Sequence, residues 1–257
     1  MPREASYVGL LRSGELQDRA ESAYAILAAC RLCPRDCGAD RLGGEYGFCR
    51  AGGVAELSGY GPHFGEEPPL VGRNGSGAVF FSHCTMRCVF CQNYRTSQVA
   101  EGGPVDAPAL ARIFLRLQEA GVHNINLVSP THYVPQILEG LVYAAADGLT
   151  IPLVYNTGGY DSVATLGFLE GVVDIYMPDA KFGDEATGRR LAGTPDYPAR
   201  MKEAIREMHR QVEISGWMQT ALQSGACWSV IWCFPGVMPV AGKYFVFLQG
   251  KSLRIRM

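Results

Sequence analysis

The chemistry-bearing residues of this chain are its cysteines, and they come in two groups. In Ser82-His-Cys-Thr-Met-Arg-Cys-Val-Phe-Cys-Gln-Asn93, Cys84, Cys88 and Cys91 are spaced Cys-x3-Cys-x2-Cys. A structural zinc ion is closed by four ligands, whereas three thiolates can hold three irons of a cubic [4Fe–4S] cluster and leave the fourth open to a small molecule. The alternative is a zinc site completed by His83 or a distant residue. The second group, Cys30-x2-Cys33-x3-Cys37-x11-Cys49, has four thiolates, enough to close a structural zinc site or saturate a second cluster. A structural role is the default, because a Gly-rich loop with little apolar core gains stability from a metal; an electron-relay cluster is the sharper alternative. His63, close to Glu66 and Glu67, has the composition of a metal or acid–base group, although a rigid Pro68-Pro69 loop explains that stretch as well.

The elements that must position these residues follow from periodicity. Gly14–Cys30 has Leu16, Ala20, Ala23 and Leu27 at helical spacing and leads into the four-cysteine group. From residue 77 onward short apolar runs at 78–82, 124–129, 151–156 and 172–177 alternate with helical patterns at 107–121, 134–148 and 162–171. Continuous apolar strands alternating with helices predict parallel βαβ units, and hence an α/β barrel or doubly wound fold. Each strand ends in polar or special residues: Ser82-His83-Cys84, Ser129-Pro130-Thr131-His132, Asn156-Thr157-Gly158-Gly159 and Pro178-Asp179-Ala180-Lys181. Ligands collect at the carboxyl ends of parallel strands, so these four segments point to one site. Asn156 has a competing use as a turn former before Gly158 and Gly159. Lys181 offers an ammonium for a ligand carboxylate, with an ion pair to Asp184 as the bland alternative. His132 is the histidine best placed to face a substrate.

Composition bounds the function. A chain of 257 residues, 47% hydrophobic, can bury a full core. A net charge of −2 offers no general attraction for nucleic acid or anionic lipid, so a small or neutral partner fits better. The first residues lack the pattern of a secretory signal and no apolar run reaches membrane-spanning length, which leads to the expectation of a cytoplasmic protein. In that compartment nine cysteines are expected to bind metal rather than form disulfides.

Cys84, Cys88 and Cys91, with the aromatic Phe90 just before the last, resemble the cluster motif of the radical S-adenosylmethionine superfamily. The resemblance extends to the group related to pyruvate formate-lyase activating enzymes. It rests on CRLCPRDCG, GEEPPLVGRNGSGAVFFSHC, CVFCQNYRTSQ, HNINLVSPTHYVPQI, VYNTGGY and VDIYMPDAKF, and covers about Cys30 to Val212. It implies a partial (βα) barrel and a [4Fe–4S] cluster whose open iron is chelated by S-adenosylmethionine. Reductive cleavage to methionine and a 5′-deoxyadenosyl radical, for hydrogen abstraction from a protein or small-molecule substrate, would follow. It also implies an electron donor such as flavodoxin or ferredoxin. Phe90 would lie near the adenine, with Asn93, Asn156, Thr157 and Asp179 as polar cofactor contacts and Lys181 and His132 as catalytic candidates. Where the activating enzymes carry Gly-Gly-Glu, this chain has Ser129-Pro130-Thr131-His132, so Ser129 and Thr131 become the hydroxyl candidates for the cofactor amino group. A non-catalytic zinc or iron–sulfur protein is the competing class.

The expected organisation is residues 1–76 as a helix and Cys-rich metal-binding extension, 77–212 as the partial barrel, and 213–257 as an aberrant tail. The tail lacks the βα rhythm and contains all three tryptophans. Back-translated and read from the third codon base, Ala226–Pro235 permits Leu-Leu-Val-Arg-His-Leu-Val-Leu-Pro, an apolar strand ending in Pro. A frame change near Val212 that replaces the last barrel strands is therefore expected, as are poor solubility and poor activity of the chain as written.

Overall fold

The structure, a computed structural model, describes residues 5–66 and 68–212, together with two backbone strands at 245–249 and 252–256. The frame-change reading of the tail falls mainly on residues outside this set. The two strands there, β7 (Phe245–Gln249) and β8 (Ser252–Arg256), pair antiparallel in a sheet of their own.

The fold is α/β. One six-stranded mixed sheet has the order β3-β1-β2-β4-β5-β6, from β1 (Ala55–His63), β2 (Ser76–Phe81), β3 (Gly103–Val105), β4 (Ile125–Val128), β5 (Leu153–Thr157) and β6 (Ile175–Pro178). The four apolar runs read from sequence are the parallel strands β2, β4, β5 and β6. The sheet is open among the described residues, with β3 and β6 at its edges. The boundary expected at residues 76 and 77 falls inside this sheet, because β1 pairs antiparallel with β2 from Leu57↔Phe81 to His63↔Ser76. Its sequence, Ala-Glu-Leu-Ser-Gly-Tyr-Gly-Pro-His, is poor in strand formers; pairing on both sides overrides that weak propensity.

Strand residues alternate between faces. Val79, Phe81, Ile125, Leu127, Leu153 and Tyr155 join the main core with Leu110 and Phe114 of α4 (Ala107–Glu119) and Ile137 and Leu141 of α5 (Val134–Ala146); the short helices α3 (Pro68–Val71) and α6 (Val163–Gly167) precede and follow this pair in the chain. Asp106 starts α4 by accepting from Ala109 N at 2.8 Å, satisfying one of the helix's first amide donors. The helix expected over Gly14–Cys30 is α2 (Glu15–Ala25) followed by a 3-10 turn (Ile26–Ala29), with a further helix, α1 (Ser6–Ser13), ahead of it, and the four positions expected to be buried, Leu16, Ala20, Ala23 and Leu27, are buried. These helices are tied to the sheet rather than set apart: Tyr7 donates to Ile151 O and Ser6 Oγ to Asp174.

Phe80, Val128, Asn156 and Met177, on the opposite face of the sheet, line a cavity at the strands' carboxyl ends. Beyond β6, α7 (Glu185–Ala192) and α8 (Tyr197–Gln211) fold back on this end; α8 buries Tyr197, Met201, Ala204, Ile205 and Met208 at helical spacing. No helix among the described residues is long and apolar enough to cross a membrane.

Candidate functional site

The three-cysteine loop leaves β2 through two residues in the left-handed region, His83 (φ 71°) and Arg87 (φ 49°). Such conformations cost energy in non-glycine residues and persist only where the surroundings hold them. Here His83 N donates to Thr96 O at 3.0 Å, Val89 N to Leu191 O at 2.9 Å and Gln98 Nε2 to Cys88 O at 2.8 Å. The sulfurs also have donors: Met86 N lies 3.4 Å from Cys84 Sγ and Ser97 Oγ 3.3 Å from Cys91 Sγ. Burial pushes the Cys88 thiol up to about 12; Lys181 opposes this, and Cys84 and Cys91 add to it. Burial likewise raises Cys84. Burial thus works against ionisation of both these thiols.

Among the described residues no three His, Cys, Asp or Glu side chains form a group fit for one metal ion. A cubic cluster takes one thiolate per iron, so its ligands stand farther apart than those of a single ion. His83, the alternative fourth zinc ligand, turns its ring toward Glu56. Its Nε2 lies 3.3 Å from Glu56 Oε1, without hydrogen-bond geometry.

The strand ends meet this loop. After β4, Ser129 takes φ 56° and its N–H donates to Asn156 O at 2.9 Å, joining the β4 and β5 ends. Thr131 and Thr157 are bound to a residue that the sequence reading passed over, Asp161. Its carboxylate accepts from Thr131 Oγ1 (2.7 Å), Thr157 Oγ1 (2.7 Å) and Tyr155 OH (3.0 Å) and is 2% exposed. Burial raises its pKa against the opposing pull of the three hydroxyls. Asp161 thus fixes two hydroxyls expected to serve the cofactor, and the only sequence signal was an acidic residue directly after Gly-Gly-Tyr.

His132, expected to be catalytic, is 2% exposed and hydrogen-bonds through Nε2 to Ser82 O at 2.8 Å. A carbonyl can only accept, so Nε2 carries the proton. Burial pushes the ring's pKa down to about 3, despite the Ser82 carbonyl. The ring is therefore neutral at physiological pH and holds the residue that opens the cysteine loop. The buried Arg41 donates to the His132 carbonyl at 2.8 Å.

Lys181 pairs with Asp179, not with Asp184, which instead caps α7 through Thr187 N. Burial works against the Lys181 charge, but Asp179, Cys88 and Cys84 outweigh it and the pKa is raised. The β5 and β6 ends are joined by a second residue without a sequence signal, Tyr197 of α8. Its hydroxyl accepts from Lys181 N (2.8 Å) and lies within donating distance of Gly158 O (2.8 Å) and Asp179 O (2.9 Å). Gly159 (φ 77°) permits this approach, since a Cβ there would fall 2.3 Å from Asp179 O. Phe90 packs edge-on to Phe182, which packs edge-on to Tyr197.

The result is one cavity of about 550 Å³. It gathers Cys84, Cys88, Cys91, Phe90 and Asn93 from the loop with Ser129, Thr131, His132, Asn156, Thr157, Asp179 and Lys181 from the strand ends. His63 and Glu66 lie at its edge, their side chains 3.9 Å apart. Cys30, Cys33, Cys37 and Cys49 lie outside its lining.

No family model matches the chain. It is similar to an uncharacterized protein of Methanocaldococcus jannaschii, with 34% identity over 191 residues that cover 70% of this chain and 53% of that protein. The chain thus spans about half the length of this relative.

Proposed function

We propose that this chain is a radical S-adenosylmethionine enzyme built on a partial (βα) barrel. The carrying observation is that the three-cysteine loop and three strand ends line one cavity. In this reading Cys84, Cys88 and Cys91 hold a [4Fe–4S] cluster, which when reduced supplies the electron that cleaves S-adenosylmethionine. The chain's own residues bind and orient the sulfonium ligand. Phe90, braced by Phe182, offers an aromatic face to the adenine. Asn93 and Asn156 offer amides, and the Asp179–Lys181 pair presents a carboxylate and an ammonium. Thr131 and Thr157, held by Asp161, present hydroxyl oxygens at fixed positions. His132 acts as a positioning residue through Ser82 rather than as an acid or base. A one-electron donor of the flavodoxin or ferredoxin class is the expected partner, and the hydrogen donor is a protein or small molecule.

Anaerobic reconstitution with iron and sulfide, followed by electron paramagnetic resonance of the reduced protein, tests this reading. S-adenosylmethionine should perturb the signal, with methionine and 5′-deoxyadenosine as products, and Cys84→Ala should abolish both effects. Undiminished cleavage by Cys84→Ala would overturn it. Stoichiometric zinc in place of iron on the three cysteines would instead favour a non-catalytic metal-binding protein.

A further inference from the structure

Residues 30–54 hold few regular elements, yet Cys30, Leu32, Ala39, Arg41, Cys49 and Ala51 are buried within them. A stretch of this length without helix or strand is uncommon in a compact domain and gains order from a crosslink, with only Cys49 and Ala51 of it in the main core. The only apolar cluster of its own is Leu27, Cys30 and Leu32. The chain turns tightly at Cys33, where Asp36 N donates to Cys33 O (3.0 Å), and around Cys49, where Arg50 N donates to Gly47 O (3.0 Å). Asp36 (φ 43°) and Arg50 (φ 65°) are both left-handed, so something beyond local preference holds these turns. The two turns are pressed together: a Cβ on Gly47 would fall 2.5 Å from Cys37 Sγ. All four thiols are free, and Cys33 lies within electrostatic reach of Cys30, Cys37 and Cys49. They do not yet stand as ligands to one ion, so metal binding requires side-chain rotation at the existing backbone turns.

This segment is also fastened to the cavity. Arg35, between Cys33 and Cys37, donates to Thr85 O (3.1 Å), Gly193 O (2.8 Å) and Ala192 O (2.8 Å). Its guanidinium lies 3.5 Å from the ring centroid of Phe48, the neighbour of Cys49. Thr85 directly follows Cys84 in the other cysteine loop. Arg41 adds a second tie, with Nη1 3.8 Å from Cys30 Sγ and 2.8 Å from His132 O.

We propose that Cys30, Cys33, Cys37 and Cys49 form a closed four-thiolate metal centre, a zinc ion or a saturated iron–sulfur cluster, whose occupancy fixes Arg35 and through it the loop bearing Cys84, Cys88 and Cys91. Four thiolates leave no open coordination position, so the centre organises the fold rather than reacting. Arg41 offsets part of its negative charge, and both arginines carry its order to the cavity. The proposal does not depend on the chemistry of that cavity.

The test uses the full chain with Cys84, Cys88 and Cys91 all replaced by Ala, which isolates the second group. Metal analysis after anaerobic purification should give about one zinc, or about four irons with sulfide, per chain. Adding Cys33→Ala should remove it. On the same background Arg35→Gln should keep the metal, and in the parent chain, where Cys84 Sγ still accepts from Met86 N, it should raise amide hydrogen exchange at Thr85 to Arg87 at least tenfold. Far-UV circular dichroism checks that each variant is folded. The metal centre is overturned if the triple variant takes up neither zinc nor iron and sulfide stoichiometrically, or if Cys33→Ala retains the metal. The link to the cavity is overturned if Arg35→Gln leaves exchange at Thr85 to Arg87 unchanged. Because Arg35→Gln leaves every cysteine of the second group intact, this outcome is readable even if Cys33→Ala fails to fold.

Discussion

Removing a single oxygen, in Tyr197→Phe, tests whether the α8 hydroxyl holds the β5 and β6 ends in place. The ring is fully buried and packs against Phe182 with centroids 5.1 Å apart, so Phe preserves the apolar contacts. The change acts on the hydrogen bonds. Lys181 N loses its acceptor at 2.8 Å, and Gly158 O and Asp179 O lose the one proton they share. A buried donor left without a partner costs about 1–3 kcal/mol, and a lost neutral hydrogen bond about 1 kcal/mol. The expected loss is therefore roughly 2–4 kcal/mol, which for a chain of this size lowers the melting temperature by about 5–15 °C. A thermal scan followed by circular dichroism measures it. Hydrogen exchange localises it, with the Lys181 amide gaining exchange while α4, remote from Tyr197, keeps its protection. A melting temperature within about 2 °C of the parent, equivalent to roughly 0.5–1 kcal/mol, would refute the reasoning. So would a loss spread evenly over α4 and the Lys181 segment.

The remaining expectations concern the same ends. The Asp161 pKa is raised from 3.8 by burial, so the folded state favours the protonated carboxyl; the stability this confers is present below the unfolded pKa and lost as pH rises through the folded value. Melting temperatures of the parent should therefore fall, relative to Asp161→Asn, as pH rises from about 4; a pH-independent difference would show that Asp161 does not titrate. Gly159→Ala forces an L residue to φ 77° with its Cβ 2.3 Å from Asp179 O, and should cost about 3 kcal/mol or more and displace the Asp179–Lys181 pair. Unfolding by urea measures the cost, and a change under 1 kcal/mol would mean the loop shifts freely.

What could be read along the chain was what depends on near neighbours. The cysteine spacings group the thiols because they are close in the chain, and the four apolar runs name the parallel strands because buried strands must be apolar on both faces. Those same runs located the polar strand ends, and the cavity collects them. Helix α8 is hard to read from sequence because its buried side chains, Tyr197, Met201, Ala204, Ile205 and Met208, are interleaved with many charged residues.

The sequence by itself determined which cysteines are grouped, three in one loop and four in another, and that α/β alternation would carry strand ends toward one of them. Tertiary structure alone decided which side chains face the cavity with a free group and which are tied down. Thr131 and Asp161 meet across 30 positions, Tyr197 and Gly158 across 39, Arg35 and Thr85 across 50. No periodicity encodes such pairs. Each follows from burial, which removes water as a partner and obliges a polar group to find another wherever the packed chain provides one. His132 shows the result most plainly: its sequence position at a strand end suggested a substrate-facing role, and in the fold its ring is buried with Nε2 bonded to the Ser82 carbonyl.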